Sequence, residues 1–594
     1  MPVRCIADGE IVFARRPIAM NSDVNHAQNY NPYGTSAKWT DNGMVIIRHT
    51  TDIGIGVDAT SIVFYSLITH LSELRGSFLR VAAGSATADD YRVSRKDIIG
   101  LPGKVYGVAD HIHMEIVCDD NHLRRLTGRT SGGLATATNG RKDAVYGEIY
   151  FHLPAGTQFY AERPADNIIT PTAPVTHTIG ARIVVGVTYG GGFGPTPGSA
   201  SVRSYQLDGT EIGTTLVEAD AESAALSSEA VRRAMTRIVC KFPGEWNSDG
   251  IDQRYGWLKS DQTYKLEGQS WEKFRAHVAA LAVASESLPS DLVAPHWHFH
   301  PRTILKHLSQ NLWLSLSEFK QIVPRTIVRK NGNSYSWENV ILSTGASSIL
   351  ATQRVALNRM ARQYGINSPL RLASFYGNSI QETTWLSGLR EGGATGTWYS
   401  PWYGRGFLQL TSPGNYFNYW RFRGRQVPDS LYNALTNAYN VEYGKSPGSR
   451  SNTVFVDGNY PLLTLQMRNW RNAIEGATNA GAEESAYAPA DSAGFYWSSL
   501  RMAAYADGNH TMERRVVATQ AGSKVFYRSI AFWRASASVN LPSRVDQPYH
   551  NSLNGFEARC VAYMYALSVL SDVRFPDATG QLTLDFPEGY QPRR

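Results

Sequence analysis

Two glutamates in the C-terminal half have the spacing that acid–base chemistry on a glycosidic bond requires. Glu382 lies at the end of a segment with helical periodicity, Glu391 follows nine residues later, and Thr397 follows six residues after that. Hydrolysis of a glycosidic bond needs an acid on the leaving oxygen and a second carboxylate, and an inverting enzyme keeps the two carboxyl groups about 6.5–9.5 Å apart to admit a water molecule. The three residues predict an acid, a base and a hydroxyl that helps to place this water.

The elements that must position this pair are a helix and a hairpin. The apolar positions of 371–384, beginning with Leu372, share one helical face, so Glu382 falls at the C-terminal end of the helix, beside the buried stripe. A partly desolvated carboxyl holds its proton more readily and can act as a general acid. The glycine-rich segment 388–397 predicts a hairpin that folds back over the helix end. The alternative is a solvated surface glutamate, which is the more common role at a helix end.

Aromatic, amide and hydroxyl residues are concentrated just after the pair, in 399–416. Aromatic rings stack on the faces of sugars, while amide groups bond ring hydroxyls and N-acetyl groups. The alternative is that these rings fill a core. We predict that the substrate contacts are made by Tyr403, Arg405, Gln409, Asn415 and Tyr416.

This block resembles the core signature of family 19 chitinases and of related phage endolysins with a lysozyme-like fold. The similarity rests on 381–383, on the string Gly-Arg-Gly-x-x-Gln-Leu-Thr within 403–411, and on Asn415 and Tyr416. The nine-and-six spacing of the two glutamates and the threonine resembles the triad of phage lysozymes, whereas chitinases of family 19 place their second glutamate farther along. The resemblance covers roughly 346–540 and implies a muramidase that cuts the MurNAc–GlcNAc β-1,4 bond of peptidoglycan with inversion.

Three histidines in the first 120 residues have types and spacing that a zinc hydrolase uses. His111 and His113 are two residues apart in a segment of strand-like composition, and His70 lies in another such segment. Residues two apart on a strand point to the same side, so His111 and His113 can converge on one metal ion or on one water molecule. The alternative is a satisfied polar face of a sheet.

The order of the short apolar segments around these histidines resembles a lysostaphin-type (LytM-like) metallopeptidase. The resemblance implies that His113 binds zinc and that His70 and His111 orient or activate the water that attacks an amide bond of the peptidoglycan stem. In that family the first two zinc ligands precede the segment that corresponds to 7–9 of this chain. A catalytic zinc site needs three protein ligands and a water, so a different residue of this chain has to replace the missing ligands. We predict the ligand set His113, His111 and His49. The alternatives are Asp110, Glu115, His122 or the segment 146–152 as the completing ligand, or a domain that only binds the wall.

Length and composition predict a globular protein of several domains. The 594 residues exceed the size of about 250–300 at which single cores stop growing. With 42% apolar and 18% charged residues, disordered, collagenous and coiled-coil chains are excluded. We expect a multidomain α+β protein with a β-rich LytM-like domain, a mixed middle region of linker and helices, and a mainly α lysozyme-like domain, over 1–165, 166–345 and 346–594.

The charge balance predicts a polyanionic partner. The chain has 58 Lys and Arg residues against 51 Asp and Glu residues, a formal net charge of +7. Nucleic acid, anionic lipid and the acidic glycopeptide of a cell wall fit this charge. The basic residues form no stripe, so we expect no nucleic-acid partner. Since the sequence contains neither an apolar run of 18 residues nor a secretory signal pattern, we expect no membrane insertion, and synthesis in the cytoplasm without a signal peptide.

Two other clusters favour structural interpretations. The alternating histidines of 296–300 resemble strand ligands of a metal, but the proline that follows indicates the start of a helix. Arg421, Arg423 and Arg425 can approach an acidic substrate, although a solvated charged face is the more common role of such a run.

The combination of the two modules is similar to the dual-activity peptidoglycan hydrolase effectors of type VI secretion, of the TseP type. That resemblance implies peptidoglycan as substrate, a spike or tube component of the secretion machine as carrier, and an immunity protein in the producing cell. It also implies secretion into the periplasm of a target bacterium. A phage endolysin and a wall-binding structural protein with relic sites are the alternatives.

Overall fold

The computed structural model describes residues 1–127 apart from 33, 35–37 and 54–59, the strands between 148 and 242, most of 244–305, and 313–593 apart from 477–481. The chain has mixed α+β structure, as predicted. Its contacts divide it into an N-terminal unit, which holds most of 1–309, and a C-terminal unit, which holds 310–593.

This division differs from the boundaries expected near 165 and 345. Strand His296–Phe299 of the predicted middle region pairs with strand His113–Cys118 in the N-terminal unit. Strand Ser334–Asn339 of the same region pairs with strand Glu513–Thr519 in the C-terminal unit. Because backbone pairing holds each strand in one sheet, the predicted middle region is shared between the two units.

The N-terminal unit is built on an antiparallel half-barrel sheet. The strands of the unit are β1 (Val3–Arg4), β2 (Gly9–Arg15), β3 (Gly43–Ile53), β4 (Thr60–Leu74), β5 (Arg92–Val93), β6 (Ile98–Val105), β7 (Val108–His111), β8 (His113–Cys118), β9 (Glu148–Leu153), β10 (Gln158–Tyr160), β11 (Val175–Thr178), β12 (Ile183–Tyr189), β13 (Ala200–Gln206), β14 (Glu211–Gly213), β15 (Val239–Phe242) and β16 (His296–Phe299). Across the sheet the order is β14-β13-β12-β9-β15-β16-β8-β4-β3-β2-β5, with β6 joining β4 to β1 and β7. Strands β10 and β11 form a separate pair.

The long β3–β4 pair has both of its faces covered. Val45 and Ile47 belong to one apolar cluster, whereas Met44 and Ile46 belong to another. Successive residues of a strand point to opposite faces, so this continuous apolar run fills a core on each side.

Four helices of the N-terminal unit are α1 (Gly76–Ala82), α2 (Asp120–Thr127), α3 (Ile251–Tyr255) and α4 (Gln269–Leu281). Helix α4 is tied to the sheet by Arg15 of β2, whose Nη1 and Nη2 donate to the carbonyls of Ala282 and Leu281 at 2.6 and 2.7 Å. A guanidinium at this place satisfies carbonyls that a helix end leaves unpaired.

The C-terminal unit is mainly helical in its described part. Its helices are α5 (Leu316–Gln321), α6 (Thr344–Gln363), α7 (Pro369–Glu382), α8 (Pro413–Phe422), α9 (Asp429–Gly444), α10 (Leu465–Ala473), α11 (Ala482–Ser499), α12 (Met502–Ala506), α13 (Ile530–Asn540) and α14 (Phe556–Leu570). Its strands are β17 (Thr326–Asn331), β18 (Ser334–Asn339), β19 (Glu513–Thr519), β20 (Gly522–Arg528), β21 (Phe575–Pro576) and β22 (Leu582–Thr583). Strands β17 to β20 form one sheet in that order.

Helix α7 is the central helix of this unit. Ser368 caps its N-terminus, and every residue of 372–380 is buried. Gly377 allows the rings of Phe532 and Tyr563 to pack against the helix backbone, because a Cβ at this position would lie 2.9 Å from the Phe532 ring and 3.0 Å from Tyr563 Cβ. Helix α7 is therefore enclosed by protein along 372–380, and this packing fixes the position of its last residue, Glu382.

Two apolar clusters organise the C-terminal unit. The main core surrounds α7 and α14 and includes Trp497 and Trp533. A second cluster, which we call the aromatic lobe, joins α8, α9 and α10 and includes Trp402, Tyr416 and Trp420. Across the parts of both units that the structure describes, no helix is long and apolar enough to cross a bilayer.

Candidate functional site

Glu382 is the last residue of α7, and its carboxylate is bound by two side chains from distant segments. Arg559 Nη2 and Asn540 Nδ2 both donate to Glu382 Oε1 at 2.7 Å. The side chains of Arg559 and Glu382 are only 4% and 13% exposed. Arg559 Nη1 also donates to Asn378 Oδ1 at 3.2 Å, so the guanidinium spans one turn of α7. The negative charge of Glu382 is compensated by a buried cation, and the carboxylate has a fixed direction.

The turn that follows Glu382 has an unusual backbone. Thr384, Trp385 and Leu386 have φ angles of 48°, 62° and 62°, in the left-handed region that few residues other than glycine adopt. Thr383 holds this turn, because its hydroxyl donates to the Ser379 carbonyl at 2.8 Å and accepts from Leu386 N at 3.1 Å. Strained backbone of this kind costs about 1–3 kcal/mol per residue and is concentrated at functional sites. The strain supports a functional interpretation of this helix end.

Glu391 is held by the loop that the glycine-rich string forms. Its Oε1 accepts from the Tyr399 hydroxyl at 2.5 Å, and its Oε2 accepts from Gly404 N at 2.8 Å. Its own backbone N donates to the Gly404 carbonyl at 3.0 Å. A side chain at Gly404 would collide with Gln409, since a Cβ there would lie 2.6 Å from Gln409 Oε1. Burial, together with the hydrogen bond to Glu391, raises the pKa of Tyr399 well above its ordinary value.

The glycine-rich segment 388–397 differs from the predicted hairpin. It forms no strand pair, and its ordered part is a short 3-10 turn, Ala394–Gly396, that ends at Thr397. The Thr397 hydroxyl donates to the Ala394 carbonyl at 2.8 Å. Its lone pairs remain able to accept a hydrogen bond. A single backbone bridge between Arg390 and Arg405 takes the place of the hairpin.

Two tyrosines connect the surroundings of the two carboxylates. Burial raises the pKa of Tyr496 to about 12, with further contributions from the charge of Glu382 and from Tyr439. Burial also raises the pKa of Tyr439, and the charge of Glu391 contributes to that shift. Water and salt screen the interaction between charges, so it is appreciable only over short distances. Tyr496 is thus influenced by the charge of Glu382, Tyr439 is influenced by the charge of Glu391, and the two tyrosines influence each other.

The predicted substrate residues fall into two groups, of which the first is accessible. Gln409 and Asn415 are half-buried. Gln409 donates to the Gly406 carbonyl at 3.0 Å, and Asn415 donates to the Thr411 carbonyl at 2.8 Å. Within the described residues, Gln409 Oε1 is a buried acceptor with no hydrogen-bond donor. Because the Gln409 oxygen is enclosed by protein, Gln409 can contact a substrate only through its second amide N–H, whereas Asn415 keeps its amide oxygen for such a contact.

The second group, Tyr403, Arg405 and Tyr416, is buried, and this corrects the prediction of direct substrate contact. Arg405 is 1% exposed, stacks on Tyr403 at 3.7 Å from the ring centroid, and donates to Glu475 Oε2 at 3.0 Å. The Tyr416 hydroxyl receives a 2.9 Å hydrogen bond from Arg405 and donates to the Tyr403 carbonyl at 2.7 Å. These residues hold the loop that carries Gly404, and through it they position Glu391.

Residues that sequence reasoning missed include Arg559, Asn540, Tyr439 and Tyr496. Arg559 is 177 positions from Glu382, and no local pattern connects the two. Tyr399 lies eight positions from Glu391. Its position in the aromatic segment 399–416 is the one sequence feature that could have identified it as a site residue.

In the N-terminal unit, the predicted residues His70 and His113 come near each other. Their ring centroids are 6.5 Å apart. His113 Nε2 bonds Glu115 Oε1 at 2.6 Å, and His298 Nδ1 lies 2.9 Å from Glu115 Oε2. Burial alone would raise the pKa of Glu115, but the charges and hydrogen bonds of His298 and His113 outweigh burial and lower it to about 2. Burial lowers the pKa of His70, whose Nδ1 bonds the Asp41 carbonyl at 2.9 Å.

The other two predicted zinc ligands are placed elsewhere, and the predicted set does not fit a zinc site. His49 is 1% exposed, and its ring nitrogens bond the Asp8 carbonyl and Ser66 Oγ, each at 2.8 Å. His111 is exposed and ends β7, whereas His113 begins β8, so the assumption that both point to one side of a single strand was wrong. In the described ranges, no three His, Cys, Asp or Glu side chains are grouped so as to hold a metal ion.

A cavity of about 530 Å³ opens beside these histidines. His70, His113 and Glu115 supply polar groups to its wall, while Trp246 and Phe274 supply apolar ones. Helix α4 closes one side through the ring of His277, whose pKa is lowered by burial to about 4. The cavity is of the mixed apolar and polar kind that binds small molecules or short peptides.

Comparison with known proteins gives no match to a family model, to a curated protein or to a solved structure. The function therefore has to be inferred from the site itself.

Proposed function

We propose that the chain is a peptidoglycan hydrolase that cuts the MurNAc–GlcNAc β-1,4 bond, with Glu382 as general acid and Glu391 as general base. One observation carries the proposal. Two carboxylates nine residues apart are each held in a fixed direction by protein donors. Two oriented carboxyl groups at one site are what glycoside hydrolysis requires.

In the proposed reaction Glu382 gives its proton to the glycosidic oxygen as the bond between that oxygen and the anomeric carbon breaks. A carboxylate remains on Glu382. Arg559 and Asn540 donate to Glu382 Oε1, so they stabilise this product of proton transfer. The buried position of Arg559 strengthens this effect, because charges interact more strongly away from water.

On the opposite face of the sugar, Glu391 takes a proton from the water that attacks the anomeric carbon, and the configuration is inverted. Tyr399 and Gly404 each occupy one acceptor position on a different Glu391 oxygen, so lone pairs remain for the water. Thr397 accepts a hydrogen bond from the same water, since its own proton is directed to Ala394. Gln409 and Asn415 bind N-acetyl or hydroxyl groups of the glycan.

The delivery route is part of the same proposal and is supported by the resemblance to type VI effectors. The protein is made in the cytoplasm, carried by a spike or tube component, and acts in the periplasm of the target bacterium. An immunity protein protects the producing cell. A phage endolysin would carry out the same reaction and differ in its delivery.

No hydrolytic step is assigned to the N-terminal unit. The resemblance to LytM-like metallopeptidases predicts zinc-dependent cleavage of the stem peptide, but His49 is committed to the core and His111 lies outside the strand of His113. Zinc-dependent amidase or endopeptidase activity stays a prediction from that resemblance.

The test is turbidity loss of purified peptidoglycan with the full chain and two variants. Glu382→Gln and Glu391→Gln are expected to lower the rate by at least about a hundredfold, in line with the contribution of general acid–base groups. Glu338→Gln is the matched control, because it removes a half-buried glutamate of β18 that also pairs with an arginine, Arg329, and it is expected to leave the rate unchanged. Full activity of Glu382→Gln would refute the proposal.

A further inference from the structure

An aromatic surface continues from Glu391 along the aromatic lobe. We call Trp398, Tyr439 and Tyr443 the aromatic shelf. The Trp398 ring centroid lies 5.0 Å from that of Tyr439 and 6.3 Å from that of Tyr443. Trp398 also meets Tyr399, the residue that donates to Glu391, at 5.2 Å. The shelf is therefore continuous with the proposed general base.

The shelf is accessible at its outer end. Tyr443 is 61% exposed, and its ring is nearly parallel to that of Tyr439, with 11° between the planes. Trp398 and Tyr439 are half-buried. Exposed aromatic rings in a row provide flat apolar faces, which stack on the C–H faces of sugar rings.

Arg450 adds a positive charge to this shelf. Its guanidinium carbon lies 5.1 Å from the ring centroids of both Trp398 and Tyr443. Its Nη2 and Nε donate to the carbonyls of Tyr443 and Lys445 at 2.7 and 3.1 Å, which fixes the direction of the guanidinium. Arg450 forms no ion pair with any Asp or Glu side chain in the part of the chain that the structure describes. The nearby acid Glu442 is bonded to Lys445 and to Ser451 N instead.

Three other arginines near the aromatic lobe are neutralised by carboxylates. Arg421, Arg423 and Arg425 pair with Asp429, Asp491 and Glu484. Arg421 also stacks on a tyrosine, at 4.5 Å from the Tyr432 ring centroid. Arg450 thus differs from these three arginines in presenting an oriented guanidinium on an aromatic surface without a carboxylate from the described protein.

We propose that the aromatic shelf and Arg450 form a subsite for a sugar unit whose peptide stem carries a carboxylate, on the Glu391 side of the cleaved bond. The occupant is the acidic glycan of peptidoglycan, whose lactyl-linked stems bear carboxyl groups. A ring of this unit packs against the exposed part of Tyr443, at the outer end of the shelf, and Arg450 donates to its carboxylate. The subsite rests on the proposed function and adds a determinant of substrate choice, since a neutral glycan cannot use Arg450.

The experiment compares two substrates, which are native sacculi and sacculi whose carboxyl groups have been converted to neutral amides with a carbodiimide and an amine. Initial rates of the full chain, of Arg450→Gln and of Arg450→Lys are measured over a range of substrate amounts. Arg421→Gln is the matched control, because it removes an arginine that stacks on a tyrosine but already has a carboxylate partner.

On native sacculi, we expect Arg450→Gln to raise the apparent KM about tenfold with kcat unchanged, as loss of a hydrogen bond to a charged group predicts. Arg450→Lys falls between the wild type and Arg450→Gln. On amidated sacculi the wild type and Arg450→Gln have the same KM, and Arg421→Gln matches the wild type on both. The subsite is refuted if Arg450→Gln keeps the wild-type KM on native sacculi, or if it raises the KM equally on both substrates.

Failure of the proposed function gives a different result. A wild-type chain that cleaves neither kind of sacculi refutes the hydrolase, and the subsite is then tested by sedimentation of the full chain with the two kinds of sacculi. The subsite is supported if Arg450→Gln binds native sacculi more weakly than the wild type does and binds amidated sacculi equally well. It is refuted if the variant and the wild type bind both kinds of sacculi equally.

Discussion

Arg559 and Glu382 form an ion pair across 177 positions of the chain, with 2.7 Å between Nη2 and Oε1. Arg559 belongs to α14 and Glu382 ends α7, so the pair joins the two helices around which the main core is built. The same guanidinium bonds Asn378 one turn earlier in α7. The orientation of the proposed acid therefore depends on helix packing as well as on its position at a helix end.

Removal of Arg559 is expected to lower both stability and activity. Breaking a buried ion pair by deleting one partner costs about 3–5 kcal/mol, and we expect the lower end because Glu382 keeps 13% exposure. Arg559→Lys retains the charge and is expected to lose less than Arg559→Gln. The melting temperature and the rate of peptidoglycan cleavage measure the two effects. If Arg559→Gln matches the wild type in both, the ion pair does not position Glu382.

Tyr399→Phe tests the support of the proposed base. The variant keeps the ring that meets Trp398 and removes the hydroxyl that donates to Glu391 Oε1. A hydrogen bond to a charged group contributes about 1.5–3 kcal/mol, so we expect kcat to fall by about tenfold or more while the fold is retained. Tyr460→Phe is the control, because its hydroxyl bonds the Val454 carbonyl instead of a carboxylate. Equal rates for the two variants would show that Tyr399 has no part in orienting Glu391.

We expect Arg405 to stabilise the fold of the C-terminal unit. Its guanidinium is bonded to Glu475, to Tyr416 and to the carbonyl of Pro401, and it is 1% exposed. Arg405→Met therefore leaves Glu475 without its cation and is expected to destabilise the C-terminal unit by about 3–5 kcal/mol. Calorimetric unfolding of the full chain measures this loss. An unchanged unfolding profile with a raised KM would instead restore Arg405 as a substrate ligand.

The buried histidine His49 predicts a pH dependence of the N-terminal unit. Burial lowers its pKa in the folded chain to about 4, below the ordinary value of 6.5 that applies when the chain is unfolded. Between these two values the unfolded state binds more protons, so stability rises with pH in this window and is lost as the pH falls from 6.5 towards 4. The loss for this group is on the order of 3 kcal/mol at most.

Chemical unfolding at a series of pH values checks the His49 prediction. His49→Gln is expected to have lower stability at pH 7, since it changes the bonds to Asp8 and Ser66, and a weaker decline between pH 6.5 and 4. A variant that declines as steeply as the wild type would show that His49 is not the group responsible.

The local features of the proposed site could be predicted from the sequence. The helical period of 371–384 places Glu382 at a helix end, and the structure ends α7 at this residue. The glycines of the Gly-Arg-Gly string predict a tight loop, and Gly404 meets Glu391 in that loop. Such features depend on residues that are close in the chain, where spacing and backbone preference decide the outcome.

Features that depend on distant packing could not be predicted. The arginine of the Gly-Arg-Gly string has the composition of a surface ligand, but the pocket made by Tyr403, Tyr416 and Glu475 buries it. His111 and His113 have strand spacing, yet Asp110 adopts a φ of 61° and the strand is interrupted at Ile112. A single left-handed residue changes the direction of every side chain beyond it, and composition does not reveal where this happens.

The most direct test of the central claim is mass spectrometry of the products that the full chain releases from purified peptidoglycan. The acid–base account predicts fragments with new MurNAc reducing ends from the wild type, and at least about a hundredfold fewer from Glu382→Gln and from Glu391→Gln. Release of the same reducing ends by Glu382→Gln at the wild-type rate would contradict it, as would wild-type products cut only within the stem peptide.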